Sequence, residues 1–143
     1  MNLHLRLSMP SDPRFLRIVR ATVDGLVGSY GLSSEECVGV TLAIDEALAN
    51  VIRHAYKNRY DQTIEFECLV NDRQMEFTLL DQGEPPDPAR ICAGPMDDVA
   101  LGGRGTHLIR AVMDEVTYNQ VPGGNQLKLV KRLHVSKALA VEE

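Results

Sequence analysis

The sequence predicts an α+β fold, a two-layer sandwich in which about three helices pack on one face of a mixed, mostly antiparallel sheet. Short alternations of apolar and polar side chains indicate the strands, and apolar stripes at helical spacing indicate the helices. Two pairs of predicted strands are joined by turns so short that their partners must run antiparallel. No internal repeat or linker interrupts this pattern.

The first third of the chain predicts one strand followed by two helices. Residues 2–9 alternate leucine and methionine with polar side chains, which is typical of a half-buried strand. An apolar stripe over residues 15–27, which includes Ile18, predicts the first helix. Ser33 and Glu36 form a capping-box pattern, so a second and longer helix is expected to begin there.

The rest of the chain predicts two hairpins separated by a loop and a short helix. The predicted strands are residues 62–70 with 74–80 and residues 115–121 with 126–133. Residues 82–101 are rich in proline and show little periodicity, which favours a long loop or a lid. A short helix is expected over residues 106–113, where apolar side chains recur at core spacing.

Composition and charge exclude several classes of function. A chain of 143 residues predicts a single domain, 1–143, with residues 134–143 as a tail. The net charge of −5 and the absence of a dense basic stripe argue against nucleic-acid and membrane partners. No membrane-span or signal-peptide pattern is present, and Cys37, Cys68 and Cys92 lack zinc-ligand spacing, so a cytoplasmic protein is expected.

A polar column on the second helix is the first candidate site. Glu46, Asn50 and His54 are four residues apart and therefore share one helix face, and the helix is expected to end near Tyr56. Such columns are more often solvated surface than functional. As a site, however, the carboxylate could take a proton from a hydroxyl, and the amide oxygen could hold Mg²⁺ together with phosphates.

Two further stretches carry chemistry of their own. Asp81 ends a predicted strand and is followed by Gly83, so it could accept the amine of adenine beside a backbone that a flat ligand can approach. Alone, this pattern is a common turn. Residues 102–105 are Gly-Gly-Arg-Gly before an apolar helix, where free amides could bind phosphate, although a simple hinge has the same composition.

In combination and in this order, the three stretches resemble the N, G1 and G2 boxes of the GHKL (histidine-kinase-like) ATPases, whose fold is the Bergerat fold. The matching patterns are Glu46-x-x-x-Asn50, Asp81-x-Gly83 and Gly103-x-Gly105. Residues 46–56 and 102–116 most resemble the anti-sigma factor serine kinases of the RsbW/SpoIIAB type. The likeness covers nearly the whole chain.

The resemblance implies a role for each matching residue. Glu46 would be the general base, Asn50 would hold Mg²⁺, and His54 would lie near the phosphates of ATP. Asp81 would bond the adenine amine, with Gly83 allowing the close approach. The residues implied to cradle the phosphates are Gly103, Arg104, Gly105 and Thr106.

The resemblance also implies a function and a set of partners. It predicts an ATP- and Mg²⁺-dependent protein kinase that sequesters a sigma factor or a similar client, and that phosphorylates a STAS-type antagonist on Ser or Thr. Arg17 matches an arginine used in partner contact, and a homodimer is possible by analogy. The alternative is a non-catalytic sequestering module, for which the departures from the family pattern at Pro85 and Asn125 leave room. A histidine kinase core is less favoured, because no helical hairpin with a phospho-accepting histidine precedes the domain.

Overall fold

The computed structural model describes residues 2–86 and 104–134, with only the backbone of residues 104–106. The strands are β1 (Leu3–Pro10), β2 (Thr63–Val70), β3 (Gln74–Asp81), β4 (Glu115–Val121) and β5 (Gly124–Arg132). The helices are α1 (Leu16–Gly28), α2 (Ser34–Asn50) and α3 (Arg104–Val112). A 3-10 turn precedes α1, and a π-helical turn, Val51–Ala55, continues α2.

The strands form one sheet in the order β1-β2-β3-β5-β4, and each pairing between them is antiparallel. The predicted fold class is confirmed, and the described part of the sheet contains no parallel pair. The two predicted hairpins, β2–β3 and β4–β5, are both present. β5 begins at Gly124, two residues before its predicted start, because Gly124 still pairs with Val121 across a two-residue turn.

The core lies between the helices and one face of the sheet. Alternate residues of β2 and β3 are buried on that face, as the alternation predicts. The residues of α1 that reach the core are Leu16, Val19, Val23 and Val27. Ile18 was expected in this stripe, but it is 52% exposed because it falls off the face that the i, i+3 and i+4 spacing defines.

Helix α2 begins as predicted and ends differently. The Ser33 side chain accepts from the Glu36 backbone N–H and the Glu36 carboxylate accepts from the Ser33 N–H, which completes the capping box. The expected end near Tyr56 is reached only through the π-helical turn, in which the Tyr56 N–H donates to the Val51 carbonyl. The chain then reverses through two residues with positive φ, Lys57 and Asn58.

Helix α3 begins at Arg104, two residues before its predicted start, and α2 packs against both α1 and α3. A Cβ built on Gly39 would lie 3.3 Å from the Val112 side chain, so the two helices approach closely there. Most of the predicted loop at 82–101 lies outside the described residues. Within those residues no helix is long and apolar enough to cross a membrane.

Candidate functional site

The polar column of α2 is present and faces away from the core. Glu46 and Asn50 are partly exposed, whereas the opposite helix face is buried. The buried residues of that face are Ile44, Leu48, Val51 and Ala55. His54 is exposed and belongs to the π-helical turn, a wide geometry that frequently occurs at functional sites.

Arg53 connects the first two members of the column. Its Nη2 donates to Glu46 Oε1 at 3.0 Å and to Asn50 Oδ1 at 2.8 Å. The Arg53 side chain is 46% exposed, so the ion pair contributes little stability. It nevertheless neutralises the Glu46 carboxylate and occupies the Asn50 oxygen. Arg53 is not among the predicted site residues, although its spacing of three from Asn50 and seven from Glu46 places it on the same face.

Asp81 ends β3 on the inner face of the sheet and is buried. One of its carboxylate oxygens, Oδ1, accepts from the Gly83 N–H at 2.9 Å and from Asn125 Nδ2 at 2.8 Å. Burial raises the pKa of Asp81, because a charged carboxylate loses hydration there, and the two hydrogen bonds oppose this shift. The site therefore holds a buried acceptor with both of these donors on a single oxygen.

Gly83 allows the Asp81 turn to lie directly against the π-helical turn that ends α2. A Cβ built on Gly83 would lie 2.4 Å from the carbonyl oxygen of Ala55, so only glycine fits. The Glu84 N–H donates to that same carbonyl at 2.9 Å. The Tyr56 hydroxyl accepts from the Gln82 N–H at 2.8 Å. The structure thus brings the Asp81 turn against the segment that directly follows Asn50.

Asn125 and Tyr118 complete the surroundings of Asp81. Asn125 is the cross-strand partner of Asp81 in the β3–β5 pairing, and its Nδ2 also donates to the Gly83 carbonyl at 3.0 Å. The Tyr118 hydroxyl, from β4, donates to Asn125 Oδ1 at 2.7 Å. In the sequence, Asn125 stands out only as a departure from the family pattern. Tyr118 is not predicted as a site residue, because nothing in the local sequence indicates a diagonal contact between two strands.

The remaining predicted site residues lie on the other two helices. Arg104, Gly105 and Thr106 form the first turn of α3, and Gly103 lies outside the described residues. Arg17 is exposed on α1, which packs against α2. The N-terminus of α3, like any helix start, offers free amide N–H groups.

The donors and acceptors in this region fit an adenine nucleotide. Asp81 is an acceptor in a buried setting, which suits the exocyclic amine of adenine. Asn50 offers one oxygen, and the part of the chain that the structure describes contains no group of three or more His, Cys, Asp or Glu able to hold a metal ion. A single amide oxygen suits Mg²⁺ that is held mainly by phosphates and water. Arg53 uses one of the two lone pairs of Asn50 Oδ1, and the other is available to a ligand.

The chain is similar in sequence to several known proteins. The family model for the histidine kinase-like ATPase domain matches residues 9–131. The serine-protein kinase RsbW of Oceanobacillus iheyensis is 27% identical over 148 residues, covering 98% of this chain and 89% of the relative. RsbW of Halalkalibacterium halodurans is 32% identical over 127 residues, which cover 83% of this chain and 77% of the relative. RsbW of Bacillus subtilis is 26% identical over 121 residues, which cover 79% of this chain and 76% of the relative.

Solved structures share the fold at lower sequence identity. The RsbU and RsbW domains of a Mycobacterium tuberculosis protein match with a TM-score of 0.66 and 18% identity, over 92% of this chain and 32% of that one. The SiaB–SiaC complex of Pseudomonas aeruginosa matches with a TM-score of 0.68 and 14% identity, over 88% of each chain. The chain therefore belongs to the histidine kinase-like ATPase domain family and, within it, to the branch of RsbW-type serine/threonine-protein kinases.

Proposed function

We propose that the chain binds ATP with Mg²⁺, phosphorylates a STAS-type antagonist on Ser or Thr, and sequesters a sigma factor or an analogous client in a partner-switching system. One observation carries the proposal. The Asp81 turn is held against the end of α2 by Gly83, so a buried acceptor suited to adenine adjoins the helix that carries Glu46 and Asn50. A base pocket and a phosphate-transfer face can then belong to one site.

Each residue of that site has a proposed task. Glu46 takes the proton from the attacking Ser or Thr hydroxyl, and Asn50 provides an oxygen ligand to Mg²⁺. Asp81 accepts from the adenine amine. His54 and the α3 terminus lie toward the phosphates, the terminus contributing Gly103, Arg104, Gly105 and Thr106. Bound Mg²⁺ would neutralise phosphate charge, and the protein supplies mainly positioning.

The proposed partners follow from the relatives and the fold neighbours. The curated relatives are named serine-protein kinases, and SiaB, a neighbour of this fold, was solved in a complex with SiaC. Arg17 is an exposed cation on α1 and is proposed to contact a protein partner. A homodimer is proposed by analogy alone.

Nucleotide binding is the first experiment. Titration of the purified protein with Mg-ATP and Mg-ADP in a calorimeter should show binding, and Asp81→Asn should weaken it by at least about tenfold, the loss of one hydrogen bond between the base and a charged acceptor. An Asp81→Asn variant that binds ATP as tightly as the wild type would remove Asp81 from the adenine site.

Phosphate transfer is the second experiment. With labelled ATP and a panel of STAS-domain proteins as acceptors, Glu46→Gln should keep ATP affinity within about twofold and slow transfer by about 100-fold or more, which is typical for loss of a general base. Glu35→Gln, an exposed residue in the first turn of the same helix, is the matched control and should transfer normally. Full transfer by Glu46→Gln would exclude Glu46 as the base.

A second candidate function has one observation in its favour. Arg53 covers both Glu46 and Asn50, and a module that only sequesters a partner could keep these groups paired permanently. In that case Arg53→Ala would leave client binding unchanged, and no acceptor would be phosphorylated by the wild type. If Arg53 is instead displaced when nucleotide binds, the wild type transfers phosphate.

A further inference from the structure

Asn125 and Tyr118 form a chain of hydrogen bonds that ends on Asp81. The Tyr118 hydroxyl donates to Asn125 Oδ1 at 2.7 Å, and Asn125 Nδ2 donates to Asp81 Oδ1 at 2.8 Å and to the Gly83 carbonyl at 3.0 Å. Both hydrogens of the Asn125 amide group are therefore used. A flipped amide would place its oxygen against two acceptors, the Asp81 carboxylate and the Gly83 carbonyl. The amide has only one satisfactory orientation.

This orientation determines how Asp81 can meet a ligand. The two N–H donors, from Asn125 and the Gly83 backbone, both fall on Oδ1, so the carboxylate plane is fixed and Oδ2 remains as an acceptor. An ionised Asp81 can accept from an amine but cannot donate to a carbonyl. A protonated Asp81 could do both. The base that the pocket prefers thus depends on keeping Asp81 charged.

We propose that Asn125 and Tyr118 are positioning residues that make the nucleotide pocket selective for a base carrying an amine over one carrying a carbonyl at the same place. This inference rests on the proposed function, since it concerns the same site. Asn125 acts on Asp81, and Tyr118 acts through Asn125. Because Asn125 donates an amide N–H directly to the carboxylate, it supports the charged form of Asp81 by the usual effect of a donor on a buried anion.

Among the residues that the structure describes, two titratable groups face Asp81 from neighbouring elements. Tyr118 extends from β4, and Tyr56 lies at the end of the π-helical turn after α2. Burial raises the pKa of both phenols, and the negative charge of Asp81 adds to each shift. Both therefore remain neutral near neutral pH, and a change in the preference between bases as the pH is lowered is expected to follow Asp81.

The test compares ATP with inosine triphosphate, in which a carbonyl replaces the amine of adenine. Mg²⁺ complexes of both are titrated calorimetrically into the wild type, Tyr118→Phe and Asn125→Leu across mildly acidic to neutral pH. The wild type should prefer ATP, and the preference should fall as Asp81 becomes protonated. Tyr118→Phe should lower the ATP preference by about three- to tenfold, the range expected for one hydrogen bond. The midpoint of the pH dependence should move to higher pH.

The outcomes separate this inference from the function on which it rests. If the wild type binds neither nucleotide, the proposed function fails and the inference with it. If the wild type prefers ATP and a folded Tyr118→Phe or Asn125→Leu keeps the same ratio and midpoint, the inference alone is wrong. Equal weakening of both nucleotides would also overturn it, because a merely structural role lowers both affinities together. Tyr118→Phe removes one half-buried hydroxyl and is the variant expected to fold normally.

Discussion

Gly83 illustrates how one residue can serve two purposes. The sequence pattern assigns its lack of a side chain to close approach of a ligand, whereas the structure shows a close approach of the protein's own backbone. A Cβ at this position would meet the carbonyl oxygen, the carbonyl carbon and the Cβ of Ala55 at 2.4, 2.6 and 2.8 Å. Backbone atoms at the end of a helix cannot move aside as a flexible side chain can. The glycine therefore fixes the distance between the Asp81 turn and α2.

A Gly83→Ala substitution tests this interpretation. We expect it to destabilise the protein by about 1–3 kcal/mol, the usual cost of overpacking, and to weaken ATP binding by displacing the Asp81 turn. Gly25→Ala is the matched control: a Cβ added at Gly25 would have nothing within 4 Å, and alanine on the exposed face of α1 should stabilise by about 0.5–1 kcal/mol. Urea unfolding measures both changes. A Gly83→Ala protein as stable as the wild type would contradict the proposed constraint.

At the same scale, the sequence indicates some site residues and not others. Asp81 and Asn50 could be predicted because each belongs to a short pattern with a regular spacing. Tyr118 could not, since its hydroxyl reaches Asn125 diagonally across a strand pair whose register is fixed only in the folded sheet. The helical spacing places Arg53 on the same face as Glu46 and Asn50. Its hydrogen bonds to both residues depend on side-chain geometry, which the spacing does not determine.

At the scale of elements, the start of α2 could be predicted and its end could not. The capping box needs only Ser33 and Glu36, which is local information. The end depends on a π-helical turn and on two consecutive residues in the left-handed region, Lys57 with φ 53° and Asn58 with φ 60°. Asparagine tolerates that region, whereas lysine does not favour it. The Asn58 N–H donates to the Ile52 carbonyl at 2.8 Å, which ties this reversal to the π-helical turn.

Lys57→Gly is expected to stabilise the protein by about 1 kcal/mol, because glycine adopts positive φ without the steric cost that lysine carries. The ion pair between Lys57 and Glu84, at 3.5 Å and exposed, is lost but contributes little. Lys57→Ala removes the same ion pair and keeps the strained backbone, so it should not be stabilising. Thermal unfolding of the three proteins separates the two effects. Equal stability of the glycine and alanine variants would show that the backbone at residue 57 is not strained.

At the scale of the whole molecule, the two-layer arrangement exposes one helix face and buries Asp81 at the edge of the core. The hairpins and the α1–α2 pair that returns the chain beside β1 account for most of the sheet order, which is why the fold class could be predicted. The β3–β5 pairing, which joins the two hairpins, does not follow from local sequence. The position of Asp81 on the inner face also follows from alternation along β3. What alternation could not give is the energetic consequence, a buried carboxylate whose pKa is raised by the loss of hydration.

That consequence predicts how stability depends on pH. Because burial raises the pKa of Asp81 above that of a free aspartate, the folded state binds its proton more tightly than the unfolded state does. Ionised Asp81 therefore lowers the stability of the folded protein at pH values above its raised pKa. As the pH falls through that pKa toward the ordinary aspartate range, the penalty disappears.

Asp81→Asn removes this charge and keeps an oxygen that can accept from Gly83 and Asn125. We expect its melting temperature to exceed that of the wild type at neutral pH, and the difference to shrink as the pH is lowered, because wild-type Asp81 then becomes neutral too. Asp24→Asn, an exposed position on α1, is the control and should show no such trend. Circular dichroism melts at a series of pH values measure the effect. A difference that does not vary with pH would mean that the Asp81 charge carries no penalty. A gain in stability together with lost ATP affinity would show that the fold retains this buried charge for its ligand.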